Sequence, residues 1–357
     1  MSRILIAPDS FKGSATSVEV ARAIALGWES VRPQDELVQI PFADGGEGSL
    51  LTIESARPDA IRIYCPEVSS NAYWLLLDDS TAIVELAQVS GLTVLPELDP
   101  LGAHTFAFGQ VLASAAGDPR VRRIYCALGG SASTDAGVGV LMALGVEFLD
   151  ADGESVQLGG GELSKIASIS TANAISSPPE GVTLLVDVDS PLLGANGAAA
   201  IYSPQKGATP EQIAELENGL QRFADMTSYQ DAPGLGAAGG TSFGLCALWG
   251  ATIQSGAEVI AELCGVQTAL ERADLVITGE GRLDQQSFQG KVVGYISQRA
   301  KIANVPIAYC VGSIEGDFTS FAVGGVSLTQ IAGSSSEAME NPEKYLIEAG
   351  VKLASIL

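Results

Sequence analysis

At 357 residues and 36.7 kDa the chain is longer than one compact core usually grows, so two domains are expected. Hydrophobic residues make up 46% and charged residues 17%, which excludes a disordered chain and allows a large core. A net charge of −23, with a pI near 4.2, excludes nucleic-acid binding, which needs a basic footprint, and an acidic membrane surface would repel the chain.

The charge is explained as well by solubility or a salt-rich cytoplasm. Any anionic ligand must be held by local lysines, backbone amides and metal ions against the global field. The five cysteines, Cys65, Cys126, Cys246, Cys264 and Cys310, form no C-x-x-C pair. Reduced, buried thiols in a cytoplasmic protein are therefore expected, not disulfides or a zinc site. The start, MSRILIAPDS, lacks the apolar run of a secretory peptide, and no stretch approaches the roughly 18 apolar residues of a membrane span.

Along the chain, Ile4–Ala7 reads as a buried parallel strand ending at Pro8-Asp9. Thr16 or Ser17 can cap a helix with Val18, Val20, Ala21, Ile24 and Ala25 inside. Leu37–Ile40 is a second strand, and Gly48–Ser55 a second helix. Ile61–Cys65, Ala72–Leu77 and Ala82–Leu86 follow without helices between them, which predicts antiparallel pairing. Arg123–Ala127 is a strand, Val138–Leu144 a helix, Thr183–Val188 a strand and Glu211–Ala224 an amphipathic helix, and the glycine-rich stretch Gly234–Gly240 opens another helix. The strand–helix alternation returns with Ala273–Thr278, Val292–Ala300, Pro306–Val311 and a strand over Ser327–Ile331. This is an α/β pattern. One domain is expected from both chain ends, 1–62 and 257–357, with a mixed α/β domain, 63–256, inserted.

Chemistry-bearing residues gather where predicted strands end, the edge at which open α/β sheets bind ligands. Ser10 and Lys12 sit in the first such loop, where a lysine and backbone amides can meet a phosphate. Asp44, Gly45, Gly46 and Glu47 join carboxylates to glycines that let backbone approach a ligand. Gly129, Gly130 and Ser131 lie between a strand and a helix, a generic anion cradle. Asp187 and Asp189 alternate at a strand end, where two carboxylates could hold magnesium or take a proton. Gln205 and Lys206 add a second phosphate-binding turn. Gly279-Glu280-Gly281 ends with Asp284 where a dinucleotide fingerprint needs glycine, and no G-x-x-x-x-G-K-[ST] P-loop occurs. Each feature alone is equally compatible with a solvated turn or a capped helix. His104 is the single histidine, and nothing near it resembles a nucleophile elbow.

Taken together, IAPDSFKGS (Ile6–Ser14), ADGGEG (Ala43–Gly48), LGGSAS (Leu128–Ser133), DVDSPLLGANGAA (Asp187–Ala199), SPQKGATP (Ser203–Pro210) and ADLVITGEGRLD (Ala273–Asp284) resemble the bacterial type I glycerate kinases from the first strand to near the C-terminus. The resemblance implies phosphorylation of D-glycerate by ATP with Mg2+. It also implies a discontinuous flavodoxin-like (Rossmann-like) domain plus an inserted domain, with the active site in the cleft between them. Carried onto this chain, its motifs fall on Ser10 and Lys12, on Asp44, Gly45, Gly46 and Glu47, on Asp187 and Asp189, on Gln205 and Lys206, and on Glu280 and Asp284, and within this set we assign Lys12, Asp44 and Asp187 as catalytic groups. Ser10, Gly45, Gly46, Glu47, Gly129, Gly130, Ser131, Gln205, Lys206 and Gly279 would contact substrate or phosphate, and Asp187, Asp189 and Glu280 the metal. Lys12 and Lys206 would hold phosphate or the glycerate carboxylate, and Asp187, ahead of Asp44, would take the hydroxyl proton. Two segments depart from the family pattern. Ala136 stands for a glycine in Ser133–Gly137, and Phe108 and Ala107 alter the stretch 104–110. A kinase of another small hydroxy acid, and a non-catalytic glycerate or nucleotide sensor, are the alternatives, and a homo-oligomer stays open.

Overall fold

The structure, a computed structural model, describes residues 1–288, 292–315 and 322–357. The chain divides into two compact units. Met1–Asp44, Leu51–Pro58 and Ala257–Leu357 form a terminal unit, and Gly45–Leu50 with Asp59–Gly256 a middle unit.

Ile4, Leu5 and Ile6 are fully buried, as a central parallel strand requires, and form β1 (Arg3–Ile6). The Thr16 hydroxyl accepts the Glu19 N–H while the Glu19 carboxylate accepts the Thr16 N–H, and this capping box starts the helix Ser17–Val31. That helix buries Val20, Ala21, Ile24, Ala25 and Trp28; Val18 is only half-buried. β2 (Glu36–Gln39) and the helix Ser49–Ala56 follow.

In the middle unit β3 (Ile61–Tyr64), β4 (Tyr73–Leu76) and β5 (Thr81–Glu85) pair antiparallel, as their spacing predicts. The helix Phe106–Gly117 then returns the chain so that β6 (Arg123–Ala127) lies parallel to β5. β7 (Glu147–Leu149) and β8 (Ser168–Ser170) make a separate antiparallel pair. β9 (Val182–Leu185) and β10 (Thr252–Gln254) complete a six-stranded sheet ordered β10-β9-β6-β5-β4-β3. β9 stops short of the expected Val188. The Asp187 carboxylate accepts from Ser255 Oγ and Gly256 N–H, at 2.8 and 3.0 Å, where ladder bonds would otherwise continue. The helices Pro210–Thr227 and Ala237–Trp249 supply Phe223 and Phe243 to a core that also holds Trp74, Phe108 and Phe148.

The chain returns to the terminal unit with β11 (Leu275–Thr278), β12 (Arg282–Leu283), the helix Val292–Ala303, β13 (Ile307–Val311), β14 (Ser313–Ile314) and β15 (Gly324–Ser327). All pairs in its main sheet are parallel, in the order β2-β1-β11-β13-β15. Counting only this sheet's strands, the order is 2-1-3-4-5, which reverses direction between β1 and β11. The run Ser327–Ile331, expected as a strand, instead enters the helix Leu328–Ala332. So short a run fits both periods. Thr329 decides it by donating both its N–H and its hydroxyl to the Gly312 carbonyl, which turns the chain. All five cysteines are buried and free. Among the described residues no helix is long and apolar enough to cross a membrane.

The helices Ser17–Val31 and Pro342–Ile356 meet backbone to backbone at Gly27 and Gly350. A Cβ on Gly350 would lie 2.3 Å from the Ile24 carbonyl oxygen. Gly350→Ala should therefore lower stability by about 1–3 kcal/mol through overpacking, after a helix-propensity gain of up to about 1 kcal/mol. Urea unfolding followed by circular dichroism measures this, and a variant as stable as wild type would contradict the close approach.

Candidate active site

The strand reversal between β1 and β11 leaves a crevice beyond the carboxyl ends of the sheet, because the connections on either side run away from it. A cavity of about 440 Å3 lies there within the terminal unit. Every strand of the sheet delivers residues to its wall. They are Asp9, Ser10 and Lys12 after β1, Asp44 after β2, Glu280 after β11, Ser313 after β13 and Thr329 after β15. The Asp9 N–H donates to the Gly279 carbonyl at 2.8 Å, continuing the β1–β11 ladder into the site. Gly279 itself makes no room for a ligand. A Cβ there would lie 1.5 Å from the Cys310 carbonyl oxygen, so its glycine serves strand packing.

Asp9, not singled out from the sequence, is a strongly perturbed acid of this pocket. Burial, followed by the nearby Asp44 carboxylate, pushes it up to about 7. The Ser10 N–H, 2.6 Å from Oδ1, and Lys12 act in the opposite direction, and Glu280 adds to the rise. Four carboxylates, Asp9, Asp44, Glu280 and Asp284, line the cavity against Lys12 and Arg282, and the Arg282 guanidinium is paired with Glu315, so the excess of hard anionic oxygens would favour an added cation. Among the described residues no three His, Cys, Asp or Glu side chains gather closely enough to hold a metal on their own. A cation held here would need further oxygen ligands from bound substrate or water.

The middle unit holds the other expected residues. The Gly129 N–H donates to the Gly45 carbonyl at 3.0 Å, and a Cβ on Gly129 would lie 2.5 Å from Gly46 Cα, so these two glycine loops fit only without side chains. Gly129, Gly130 and Ser131 follow β6 and stand several residues ahead of the helix that begins at Val138. Ser131 joins Ser133, Oγ to Oγ at 3.1 Å. Glu47 is exposed and accepts from Thr93 Oγ1 at 3.4 Å. Asp189 and Gln205 are exposed; Asp189 lies beyond β9, where strand alternation no longer pairs it with Asp187.

Lys206, expected in a phosphate-binding turn, is fully buried. Its Nζ donates to the Ser133 carbonyl and lies 3.5 Å from Thr134 Oγ1. Burial pulls it down to about 8, with Asp135 opposing the fall. Asp135 is wholly buried and accepts from the Thr105 N–H and hydroxyl, both at 2.8 Å, and from the Gly137 and Gly139 N–H groups, both at 3.2 Å. Of the departures, Ala136 does take the left-handed conformation, φ +53°, which strains it by roughly 1–2 kcal/mol. Phe108 is a core residue of the helix Phe106–Gly117, so that change packs the unit and does not line the pocket. His104 Nδ1 accepts the Phe106 N–H at 3.4 Å. Asp9 was signalled by its place in the β1-end loop; nothing local marked Asp135 or Lys206 as buried.

The glycerate kinase family model matches residues 4–357. The glycerate kinase of Halalkalibacterium halodurans is 36% identical, with 100% of this chain and 98% of that protein covered. The glycerate 2-kinase of Escherichia coli is 34% identical, covering 99% and 98%. The crystal structure of a protein designated glycerate kinase 2 from Salmonella typhimurium superposes with a TM-score of 0.81 at 32% identity, covering 99% of this chain and 97% of that one. The chain is therefore an enzyme of the kinase class, built on an α/β fold. Within that class it belongs to the glycerate kinase family.

Buried Lys206 gives a signed pH test. Between about 8 and the ordinary lysine value of 10.5 the folded chain has released a proton that the unfolded chain retains. Stability contributed by this position must then rise with pH across that window. In urea unfolding at pH 7.5, 9 and 10, wild type should gain stability relative to Lys206→Met. A constant difference would show that Lys206 is solvated like a surface lysine.

Proposed function

We propose that the protein transfers the terminal phosphoryl group of ATP to a hydroxyl of D-glycerate, forming a phosphoglycerate and ADP with a divalent metal. The observation that carries this reading is the cavity at the strand reversal, where Lys12 faces Asp9, Asp44 and Glu280. Phosphoryl transfer asks a protein for in-line positioning and charge neutralisation more than for covalent chemistry. A lysine beside hard oxygen donors offers both.

Lys12 and the Ser10 loop bind the donor phosphates. Glu280, with Asp9 and Asp44, would hold the magnesium, which when bound screens the charge of the phosphate oxygens. Asp187 takes the hydroxyl proton of glycerate. Its orientation, fixed by Ser255 Oγ and Gly256 N–H, suits a positioned base. Gly45, Gly46, Glu47, Gly129, Gly130 and Ser131 contact substrate or phosphate through backbone and hydroxyl groups. Lys206 acts on this reaction from beneath the Ser133–Asp135 backbone, since its amine is spent on the Ser133 carbonyl.

The test is ADP release from ATP across a panel of small hydroxy acids. D-glycerate should give the highest kcat/KM, and complete chelation of divalent metal should abolish turnover. Preference for another acid would move the substrate, and undiminished turnover in chelator would remove the metal. Lys12→Ala should lower kcat/KM by 10² or more, on the order of the loss when one electrostatic donor is removed, with an unchanged circular dichroism spectrum. Near-wild-type efficiency would make Lys12 a rim residue. Asp187→Asn should lower kcat by roughly 10²–10⁴ with KM for glycerate within a few-fold. A raised KM at constant kcat would assign Asp187 to ground-state binding instead.

A further inference from the structure

Glu85, the last residue of β5, is a buried acid outside the pocket just described. Its side chain is almost wholly enclosed within the middle unit. Oε1 accepts the Gly48 N–H at 3.0 Å and Oε2 accepts the Leu50 N–H at 2.9 Å. Both oxygens thus grip the loop Gly45–Leu50, and a Ser49 Oγ–Gly46 carbonyl bond of 2.7 Å closes that loop on itself. The same loop meets the Gly129 segment through the Gly45 carbonyl, and Gly46 sits where a side chain on Gly129 would collide. The chain just after Glu85 reaches that segment too, with the Leu92 N–H on the Gly130 carbonyl and the Ala132 N–H on the Ser90 carbonyl. Glu85 therefore stands at the root of both glycine loops.

From this geometry we infer that Glu85 is a positioning residue, whose two carboxylate oxygens hold the Gly45–Leu50 loop in register with the Gly129–Ser131 loop. The inference rests on the reading that these loops contact substrate or phosphate.

A buried carboxylate is costly to keep charged, and glutamine of the same shape would avoid the cost. Glutamine, however, offers one acceptor oxygen and would meet the second amide N–H with its own NH2 group. Two amides aimed at two oxygens need the ionised acid. Burial, foremost, pushes Glu85 up to about 7. The amides of Leu50, Gly48 and Ser49 act against the rise, and Glu47 is the charged group beside it. Below that pH the carboxyl takes up a proton and one of its oxygens ceases to be a good acceptor, so the grip loosens.

Hydrogen–deuterium exchange of the peptide spanning 45–51, together with kinetics, tests this with the full chain. In Glu85→Gln at pH 8, exchange of that peptide should speed up on the order of tenfold, and kcat/KM for glycerate should fall on the order of tenfold through misplacement of the loop. In wild type, protection of the peptide, corrected for intrinsic exchange, should decline as pH falls below about 7. In Glu85→Gln it should not change with pH. Asp9 titrates in the same range beside Asp44, which precedes the loop, and the pH series of Glu85→Gln, in which Asp9 is retained, separates its contribution from that of Glu85. If Glu85→Gln loosens the whole middle unit, Glu85→Asp, which keeps the charge and shortens the reach, must show the localised loosening. Unaltered exchange, or faster exchange with kcat/KM within twofold of wild type, overturns the positioning role. Absence of glycerate turnover by wild type would instead overturn the proposed function.

Discussion

Gly279 packs so tightly on the Cys310 carbonyl that no side chain fits between them. This contact keeps β11 and β13 in step past the end of the sheet. Beyond it, the Gly312 N–H bonds to the Glu280 carbonyl and the Ser313 N–H to the Gly281 carbonyl, each at 3.0 Å. β12 and β14 then pair in parallel from the same register. The cavity wall depends on that extension, because it sets Glu280 and Ser313 at one level with the loops after β1 and β2. A larger residue at 279 would separate the strands where the site is built.

The second constraint is electrostatic. The chain carries −23 net charge, and its pocket gathers Asp9, Asp44 and Glu280. Binding a phosphate against that field needs a cation of higher charge density than Lys12 supplies. The upward shift of Asp9 comes first from burial and then from this imbalance, through the neighbouring Asp44 carboxylate. Under the proposed function, a divalent ion bound with the nucleotide would relieve the imbalance and would make the acid cluster compatible with an anionic substrate.

In the middle unit, polar groups are spent on shaping backbone. Lys206, Asp135 and Glu85 are each buried, and the partners that hold them are backbone groups and hydroxyls. Such groups cost desolvation, yet each fixes a loop that an apolar residue could not hold, since loop amides and carbonyls need partners once they leave water. The glycine loops at 45–48 and 129–130 contribute shape, and the buried ions beneath them contribute rigidity.

The sequence by itself determined the α/β class, the positions of most strands and the capping box at Thr16, because these follow from local periodicity and short-range hydrogen bonds. It also marked the Ser10–Lys12 and Glu280 loops, since strand ends of an open parallel sheet are where ligands bind. Tertiary structure alone decided which polar residues face a cavity and which are entombed. Lys206 and Gln205 are neighbours in one turn, yet the first is buried under Ser133 and the second is exposed. Asp187 and Asp189 looked like a pair, but long-range bonds from Ser255 and Gly256 hold the first and leave the strand alternation behind. Burial and partner choice depend on residues distant in sequence, 73 positions apart for Lys206 and Ser133 and 68 for Asp187 and Ser255. No local pattern carries that information.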